Sequence, residues 1–211
     1  CNAAEHRTTE PVSLIARPMP VELAREAFAL YMEYPGAMSV FCDGRTYRDT
    51  VAMERFARRN ARRGSTEARQ PNDGRFHIVG DTAEWMSRHA HEVEKFCMFF
   101  DTAEQAQAAL PRFRALAGAE VVQGSPDNIE LTAQGVDKGT ALLALADLLH
   151  IPREATVAVG DSENDRAMLE KAGIAAVMAN GMPHIQALAD LVSTNDCDHD
   201  GVAELFERLG L

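Results

Sequence analysis

The sequence predicts an α/β protein in which a smaller α+β domain is inserted into a doubly wound parallel-sheet domain. Residues from about 131 to 211 alternate short apolar strands with amphipathic helices, which is typical of parallel strands joined by right-handed crossovers. The stretch from about 19 to 130 is less regular and carries a hairpin signal. We therefore expect a linker or remnant of the larger domain at 1–18, the inserted domain at 19–130 and the carboxyl-terminal part of the sheet domain at 131–211.

The sheet domain is predicted because the spacing of its apolar residues switches repeatedly between that of a strand and that of a helix. Gly173 is placed to end a helix in the left-handed conformation, and Pro183 suits the first turn of the helix that follows. The predicted elements are strand Ile129–Ala133, helix Gly139–His150, strand Ala155–Val159, helix Asn164–Ala172, strand Ile174–Met178, strand Leu191–Thr194 and helix Gly201–Leu209.

The inserted domain is predicted to mix helices with antiparallel strands. Asp43-Gly44 follows an apolar run and is a strong hairpin signal, since both residues tolerate positive φ. The predicted elements are helix Val21–Glu33, strand Met38–Phe41, strand Val93–Phe100, helix Thr102–Leu116 and strand Glu120–Gln123.

Charge and composition exclude several classes of protein. The formal net charge of −11 argues against general nucleic-acid binding, because phosphate backbones are held by clustered cations. No run approaches the roughly 18 apolar residues of a membrane helix and no basic leader precedes an apolar stretch, so a cytoplasmic location is expected. The four cysteines lie far apart without a C-x-x-C pair, which gives a zinc site or a disulfide framework little support.

One basic stripe interrupts this acidic composition. Its five arginines recur at helical spacing and would share one helix face: Arg55, Arg58, Arg59, Arg62 and Arg63. The stripe could hold an anionic substrate or partner, or it could be an ordinary solvated helix face.

The sharpest chemical feature is an acidic string, Gly160-Asp161-Ser162-Glu163-Asn164-Asp165, directly after a predicted strand. Ligands of open parallel sheets bind along the carboxyl ends of the strands, and two carboxylates four residues apart would face that edge. Hard oxygen ligands of this kind suit Mg²⁺. The same two aspartates would serve equally well to cap the next helix, and spacing alone does not separate these interpretations.

With its neighbours this string resembles a known family. Gly160–Asp165 followed by Arg166-Ala167-Met168-Leu169 is similar to the GDxxND-x-x-M-L motif of Cof-like phosphatases in the haloacid dehalogenase (HAD) superfamily. The segment Gln134–Leu142 resembles the lysine motif of that branch, and Ala189–Asn195 and Asp200–Ala203 look like its closing segment. The similarity is dense over residues 128–211 and thinner over the inserted domain, which corresponds to the family's cap.

The resemblance implies a Mg²⁺-dependent phosphomonoesterase that acts on a small phosphorylated metabolite through an aspartyl-phosphate. Asp161 would be a direct Mg²⁺ ligand, and Asp165 would be the second carboxylate of the metal site, which orients the first. Lys138 would neutralise the substrate phosphate, and Asn164 would donate a hydrogen bond to it. Lys138, Asp161 and Asp165 would be the catalytic residues, and the cap would close over the site and select the substrate.

The sequence departs from the family at one essential point. Family members carry an Asp-x-Asp-Gly-Thr motif whose first aspartate attacks phosphorus, and none precedes Lys138; the nearest candidate, Phe41-Cys42-Asp43-Gly44-Arg45, lacks that aspartate. The doubly wound sheet is therefore expected to be incomplete, and the chain alone to be inactive or nearly so. A separate chain, an upstream segment or a swapped element of a homo-oligomer would supply the missing strand.

Two alternatives stay open. Residues 196–207 satisfy a short EF-hand pattern, with Asp196, Asp198, Asp200 and Glu207 as oxygen ligands of a calcium loop. Against it, a strand is predicted where the entering helix should lie, and a helix is predicted to begin inside the loop. The second alternative is a non-catalytic binding or regulatory protein that retains the cap and half of the site.

Overall fold

The computed structural model describes residues 14–62 and 76–211. In chain order the elements are α1 (Val21–Met32), β1 (Gly36–Cys42), β2 (Arg45–Asp49), α2 (Thr50–Arg62), β3 (Phe76–Val79), α3 (Thr82–His89), β4 (Val93–Phe100), α4 (Ala103–Arg114), β5 (Ala119–Val122), β6 (Asn128–Ala133), α5 (Lys138–Leu148), β7 (Val157–Gly160), α6 (Arg166–Lys171), β8 (Ile174–Val177), α7 (Pro183–Gln186), β9 (Leu191–Val192) and α8 (Gly201–Leu209). A 3-10 turn at Glu163–Asp165 precedes α6.

The first half of the chain builds a six-stranded mixed sheet of order β3-β2-β1-β4-β6-β5. Strands β1 and β2 form the predicted hairpin around Asp43 and Gly44, whose φ angles of 48° and 67° match the positive values that such a turn requires. Strands β4, β6 and β5 follow in antiparallel pairs, while β3 joins the far edge parallel to β2.

One face of this sheet carries the larger hydrophobic core. Helices α1 and α4 cover it, and fully buried aromatic rings such as Tyr31, Phe96 and Phe113 pack between helices and sheet. The Tyr31 hydroxyl donates to the carbonyl of Ile129 at 3.1 Å, so the buried phenol keeps a partner. The opposite face is more polar, and α2 packs on it through the edge contact of Phe56 with Phe99.

The second half of the chain forms a three-stranded parallel sheet, β7-β8-β9. On one face, Leu169 of α6 and Ile185 of α7 pack against Ala158 and Val177 of the sheet. On the other face, Leu205 of α8 packs against Ala176 and Met178. Helices on both faces of parallel strands make this part a doubly wound α/β fold, as the sequence predicted.

Two local predictions were wrong. The strand predicted at Ile129–Ala133 forms as β6, but it pairs antiparallel in the six-stranded sheet and not in the parallel one. Its apolar and polar residues alternate, which is typical of an antiparallel strand with one covered face. Gly173 does not adopt positive φ after α6. It is required by close packing instead, since a β-carbon there would lie 2.5 Å from the carbonyl oxygen of Arg153.

Part of the sequence-based account falls outside the described residues. These are most of the expected linker at 1–18 and Arg63 of the basic stripe. Within the described ranges, none of the helices combines the length and the apolar character needed to cross a lipid bilayer.

Candidate active site

Lys138 and the acidic string meet where two helices begin. Lys138 is the first residue of α5, and the side chain of Asp137 caps that helix by accepting from the backbone N–H of Thr140 at 2.6 Å. Asp161 follows the last residue of β7, at the carboxyl end of the parallel sheet. The 3-10 turn then leads directly into α6, so both segments are held at one edge of the sheet.

Asp165 is the centre of this arrangement. Its Oδ1 accepts a hydrogen bond from Nζ of Lys138 at 2.6 Å. Its Oδ2 accepts from the backbone N–H of Asp161 at 3.0 Å and of Ser162 at 3.3 Å. The Asp165 side chain is only 8% exposed, whereas that of Lys138 is 48% exposed. Both carboxylate oxygens are therefore committed to the protein.

The electrostatics of Asp165 follow from these contacts. Burial alone would raise the pKa of this carboxyl, because it disfavours the charged form. The hydrogen bond from Lys138 and the two backbone N–H groups outweigh burial and hold the pKa below its usual value. Asp165 is thus ionised at neutral pH, and its hydrogen bond with Lys138 holds the ammonium group over the turn.

Two glycines allow the close approach. A β-carbon at Gly160 would lie 2.5 Å from Cβ of Asp165, so only glycine lets the carboxylate fold back over the end of β7. A β-carbon at Gly139 would collide with the backbone carbonyl of Ala167, so glycine also sets how closely α5 crosses α6. A second ion pair fixes the same crossing, with Nζ of Lys171 2.9 Å from Oδ2 of Asp137.

Unlike Asp165, Asp161 and Asn164 keep polar side-chain groups that are not hydrogen-bonded to other described residues. Among the described residues, no side chain pairs with the half-buried Asp161 carboxylate, while its backbone carbonyl accepts from Met182 at 2.8 Å. Oδ1 of Asn164 accepts from the Ser162 hydroxyl at 3.0 Å, which leaves its amide N–H groups to donate. That amide nitrogen lies against Gly124 of the six-stranded-sheet region, where a β-carbon would be 2.7 Å away.

The residues fit part of a Mg²⁺ site. Mg²⁺ takes one or two protein carboxylates and completes its shell with phosphate and water. Asp161 offers such a carboxylate, whereas both oxygens of Asp165 accept hydrogen bonds from Lys138 and the turn. No group of three or more His, Cys, Asp or Glu side chains within residues 14–62 and 76–211 is arranged to hold a metal ion. Within the described residues Asp161 would be the direct ligand, with Asp165 holding the turn behind it, and phosphate, water or another segment would supply the rest.

A cleft of about 690 Å³ adjoins the site and extends to the six-stranded sheet. Lys138 and Asn164 line it from the α/β side, together with Glu163, which pairs with Arg166 at 2.7 Å and His184 at 2.8 Å. From the sheet side come several polar residues, among them Lys95, Gln107, Gln123, Ser125 and Glu130. Asp161 and Asp165 are not among its lining residues. The cleft therefore meets the predicted site through Lys138 and Asn164.

Sequence reasoning missed several of these residues. Lys171 follows the acidic string by only a few positions, but no local pattern links it to Asp137. Glu163 and His184 are separated by 21 residues, and their pairing depends on the turn after β8. Gly124 is recognisable only from the tertiary contact with Asn164.

The structure of residues 196–207 does not match a calcium-binding loop. Helix α8 begins at Gly201, so the second half of the presumed loop is helical and cannot wrap an ion. Glu204 in the first turn of α8 accepts from the backbone N–H of Asn195 at 2.8 Å, and Asp196 pairs with His199 at 2.6 Å. These carboxylates serve to close the connection between β9 and α8.

Comparison with known proteins places the chain in a family. Residues 10–206 match the family model for haloacid dehalogenase-like hydrolases. Phosphatase YwpJ of Bacillus subtilis is 39% identical over 106 residues, which is 50% of this chain and 37% of that protein. The 5-amino-6-(5-phospho-D-ribitylamino)uracil phosphatase YcsE of the same organism is 32% identical over 118 residues, 56% of this chain and 47% of that protein. The matched segments thus span less than half of either curated relative.

Solved structures agree with the fold. A haloacid dehalogenase-like hydrolase from B. subtilis superposes with a TM-score of 0.73 at 28% identity, over 92% of this chain and 72% of that one. Another from Bacteroides thetaiotaomicron has a TM-score of 0.65 at 21% identity, over 91% of this chain and 68% of that one, which shows similarity of fold alone. Because the family model matches nearly the whole sequence, the chain belongs to the haloacid dehalogenase-like hydrolases.

Proposed function

We propose that the chain carries the lysine-bearing and metal-binding half of a Mg²⁺-dependent phosphomonoesterase for a small phosphorylated metabolite. The observation that carries the proposal is the 2.6 Å contact of Lys138 with the buried Asp165 carboxylate, beside the Asp161 carboxylate, which no described side chain pairs with. Half-exposed Lys138 keeps ammonium protons for a phosphate oxygen. The phosphatases among the curated relatives support this reaction type.

Each residue has a distinct role in this proposal. Lys138 and Asn164 line the cleft and donate to the phosphate, where fixed donors stabilise charge that develops during phosphoryl transfer. Asp165 is a positioning residue that orients Lys138 and the turn. Asp161 would hold Mg²⁺, which when bound neutralises phosphate charge as a Lewis acid.

Hydrolysis through an aspartyl-phosphate also needs a nucleophilic aspartate. The 211-residue sequence contains no Asp-x-Asp-Gly-Thr. Downstream of Lys138 the string Asp198-His199-Asp200-Gly201 has both aspartates but is followed by Val202, and its two aspartates are exposed directly before α8. We assign the nucleophile to polypeptide outside these residues, either an upstream segment or another chain. Within the described part of the chain, β7 pairs with β8 alone, so its other edge can accept a strand whose end would approach Asp161.

Phosphate release from a panel of phosphorylated metabolites with Mg²⁺ tests this proposal. The panel includes sugar phosphates, nucleotides and 5-amino-6-(5-phospho-D-ribitylamino)uracil, the compound named for one relative. We expect little turnover by the 211-residue chain and clear turnover when a longer protein supplies an Asp-x-Asp-Gly-Thr strand. That turnover should be lost on Asp161→Ala and on Lys138→Ala.

The same assay separates the non-catalytic alternative, which the absent nucleophile motif favours. A longer protein that binds phosphate but releases none from any substrate would support a binding or regulatory role. Turnover by the 211-residue chain alone, abolished by Asp161→Ala, would instead show that the nucleophile lies within it.

We also propose that the protein acts in the cytoplasm. Cys42, Cys97 and Cys197 are free thiols, which suits a reducing compartment. Burial raises the pKa of both Cys42 and Cys97 to about 12, so these two thiols stay protonated and behave as small core residues.

A further inference from the structure

A second cleft lies between α2 and two connections of the six-stranded sheet, the one from β4 to α4 and the one from β5 to β6. It measures about 420 Å³, and the arginines of the basic stripe line it: Arg55, Arg58, Arg59 and Arg62. We call it the arginine cleft. Among the described residues its acidic lining side chains are those of Asp101 and Asp127, so four arginines face two carboxylates there. In a protein with a net charge of −11, this concentration of positive charge in a concavity calls for an explanation.

Two of the four arginines are fixed by the protein itself. Arg59 makes a forked contact with Asp127, with nitrogen–oxygen distances of 3.0 and 3.3 Å, and its guanidinium lies 4.0 Å from the centre of the Phe99 ring. Arg55 donates to the carbonyl of Gly36 at 2.6 Å. These contacts neutralise Asp127 and give the cleft a defined wall.

The other two arginines are not held in place by a described side chain. Arg58 and Arg62 are exposed, and the described residues provide no side-chain partner for either. They are four positions apart on α2, where like charges repel and destabilise a helix. An anion between them would relieve that repulsion, and the planar guanidinium fork matches phosphate and carboxylate oxygens.

The arginine cleft adjoins the cleft that contains Lys138. Pro126 lines both, and Ser125 and Asp127 on either side of it line one each. This turn is rigid, because Oδ1 of Asn128 accepts from the backbone N–H groups of Gly124 and Ser125, both at 2.9 Å.

The same turn links the two sites by direct contact. Gly124 lies against the amide of Asn164, and Asp127 at the other end binds Arg59. The two clefts are thus neighbours along one wall, on either side of a single turn.

We propose that the arginine cleft binds a second anionic group, phosphate or carboxylate, of the same small molecule whose scissile phosphate lies at Lys138. This inference rests on the proposed phosphatase function. It narrows the substrate class to metabolites with two separated anionic groups, such as bisphosphates or phosphorylated acids. Arg58 and Arg62 would be the specificity-determining residues, with Arg55 and Arg59 holding the wall.

Calorimetric titration of the 211-residue chain in the presence of Mg²⁺ tests the inference. The ligands are a hexose bisphosphate, the matching hexose monophosphate and inorganic phosphate. We expect the bisphosphate to bind at least about tenfold more tightly than the monophosphate, which corresponds to one additional charged contact. The double substitution Arg58→Gln/Arg62→Gln should remove this preference and leave monophosphate affinity unchanged.

Matched controls separate local from general charge effects. Arg25 is exposed on α1, on the opposite face of the sheet, so Arg25→Gln removes an arginine charge without touching either cleft and should preserve the preference. Equal affinity for the two sugar phosphates, or a preference that survives the double substitution, would overturn the inference. Inorganic phosphate binding that depends on Arg58 and Arg62 without any bisphosphate preference would also overturn it, since the clefts would then act separately.

Lys138→Ala distinguishes this inference from the function on which it rests. If both hold, the substitution weakens binding of the monophosphate and of the bisphosphate. If the inference fails and the phosphatase function holds, Lys138→Ala still weakens both ligands, but the double arginine substitution leaves the bisphosphate preference intact. If the function alone fails, the bisphosphate preference depends on Lys138 and on the arginine pair, but the longer protein releases no phosphate from any substrate.

Discussion

At the scale of single residues, two aspartates of one turn have different roles. Asp165 is buried and spends both carboxylate oxygens inside the protein, whereas the Asp161 carboxylate has no side-chain partner among the described residues. A paired and buried carboxylate contributes to stability, and an unpaired one beside a cleft is available for ligands. The two roles can therefore be separated by substitution.

Asp165→Asn should destabilise the fold while Asp161→Asn does not. Removing the charge of Asp165 weakens the hydrogen bonds from Lys138 and from the turn, and a hydrogen bond to a charged group contributes about 1.5–3 kcal/mol. We expect that loss in the free energy of unfolding, measured with urea at neutral pH. Asp161→Asn should stay within about 0.5 kcal/mol of the original protein. Equal losses for the two variants would refute the division of roles.

Asp137 provides a pH-dependent test of the second ion pair. Burial raises the pKa of this carboxyl, but the hydrogen bond from Lys171 and the backbone N–H groups at the start of α5 outweigh it and lower the pKa below its usual 3.8. A lowered folded-state pKa stabilises the protein above the unfolded value, and the contribution disappears as the pH falls through the folded value.

Asp137→Asn keeps a good helix cap but removes the charge, so it isolates the pair with Lys171. We expect it to cost up to about 1 kcal/mol at pH 7, since Lys171 is partly exposed. The difference from the original protein should stay constant down to about pH 4 and shrink below that. Urea unfolding at a series of pH values measures it, and a difference that grows toward low pH would have the wrong sign.

At the scale of elements, the crossing of α5 over α6 positions the site. Gly139 lies one residue after Lys138, and a β-carbon there would strike the backbone of Ala167. Gly139→Ala should force the helices apart and cost about 1–3 kcal/mol in unfolding free energy, as overpacking does.

Gly80→Ala is the matched control for that substitution, because nothing lies within 4 Å of the added carbon and φ at Gly80 is not positive. It should be neutral within about 0.5 kcal/mol. Thermal unfolding followed by circular dichroism compares the two variants. Similar midpoints would show that the crossing tolerates a wider spacing.

The elements that could be predicted are those with strong local signals. Helix α1, strand β4 and the Asp43-Gly44 hairpin were confirmed because hydrophobic period and turn chemistry agree there. The pairing of β6 was mistaken because a strand pattern specifies its faces but not its partners. The left-handed cap expected at Gly173 was also wrong, since a glycine required by a tertiary contact resembles one required by φ.

At the scale of the whole molecule, residues of both halves of the chain line the cleft beside Lys138. The acidic string could be predicted from its place after a strand, and Lys138 only from the family resemblance, because the two are 27 residues apart along the chain. The sequence showed the arginine stripe but left its role open. Only the fold shows that the stripe lines a cleft beside the cleft of Lys138, across a turn that no local pattern marks.

The proposed joint binding of Mg²⁺ and phosphate by Asp161 and Lys138 is tested by titrating inorganic phosphate into the 211-residue chain with and without Mg²⁺. The Arg58→Gln/Arg62→Gln background removes the arginine cleft as a competing site. We predict that Mg²⁺ strengthens phosphate binding about tenfold or more. Asp161→Asn should abolish that gain, and Lys138→Ala should weaken phosphate binding with or without the metal. Phosphate affinity that ignores Mg²⁺ and survives both substitutions would contradict the proposed site.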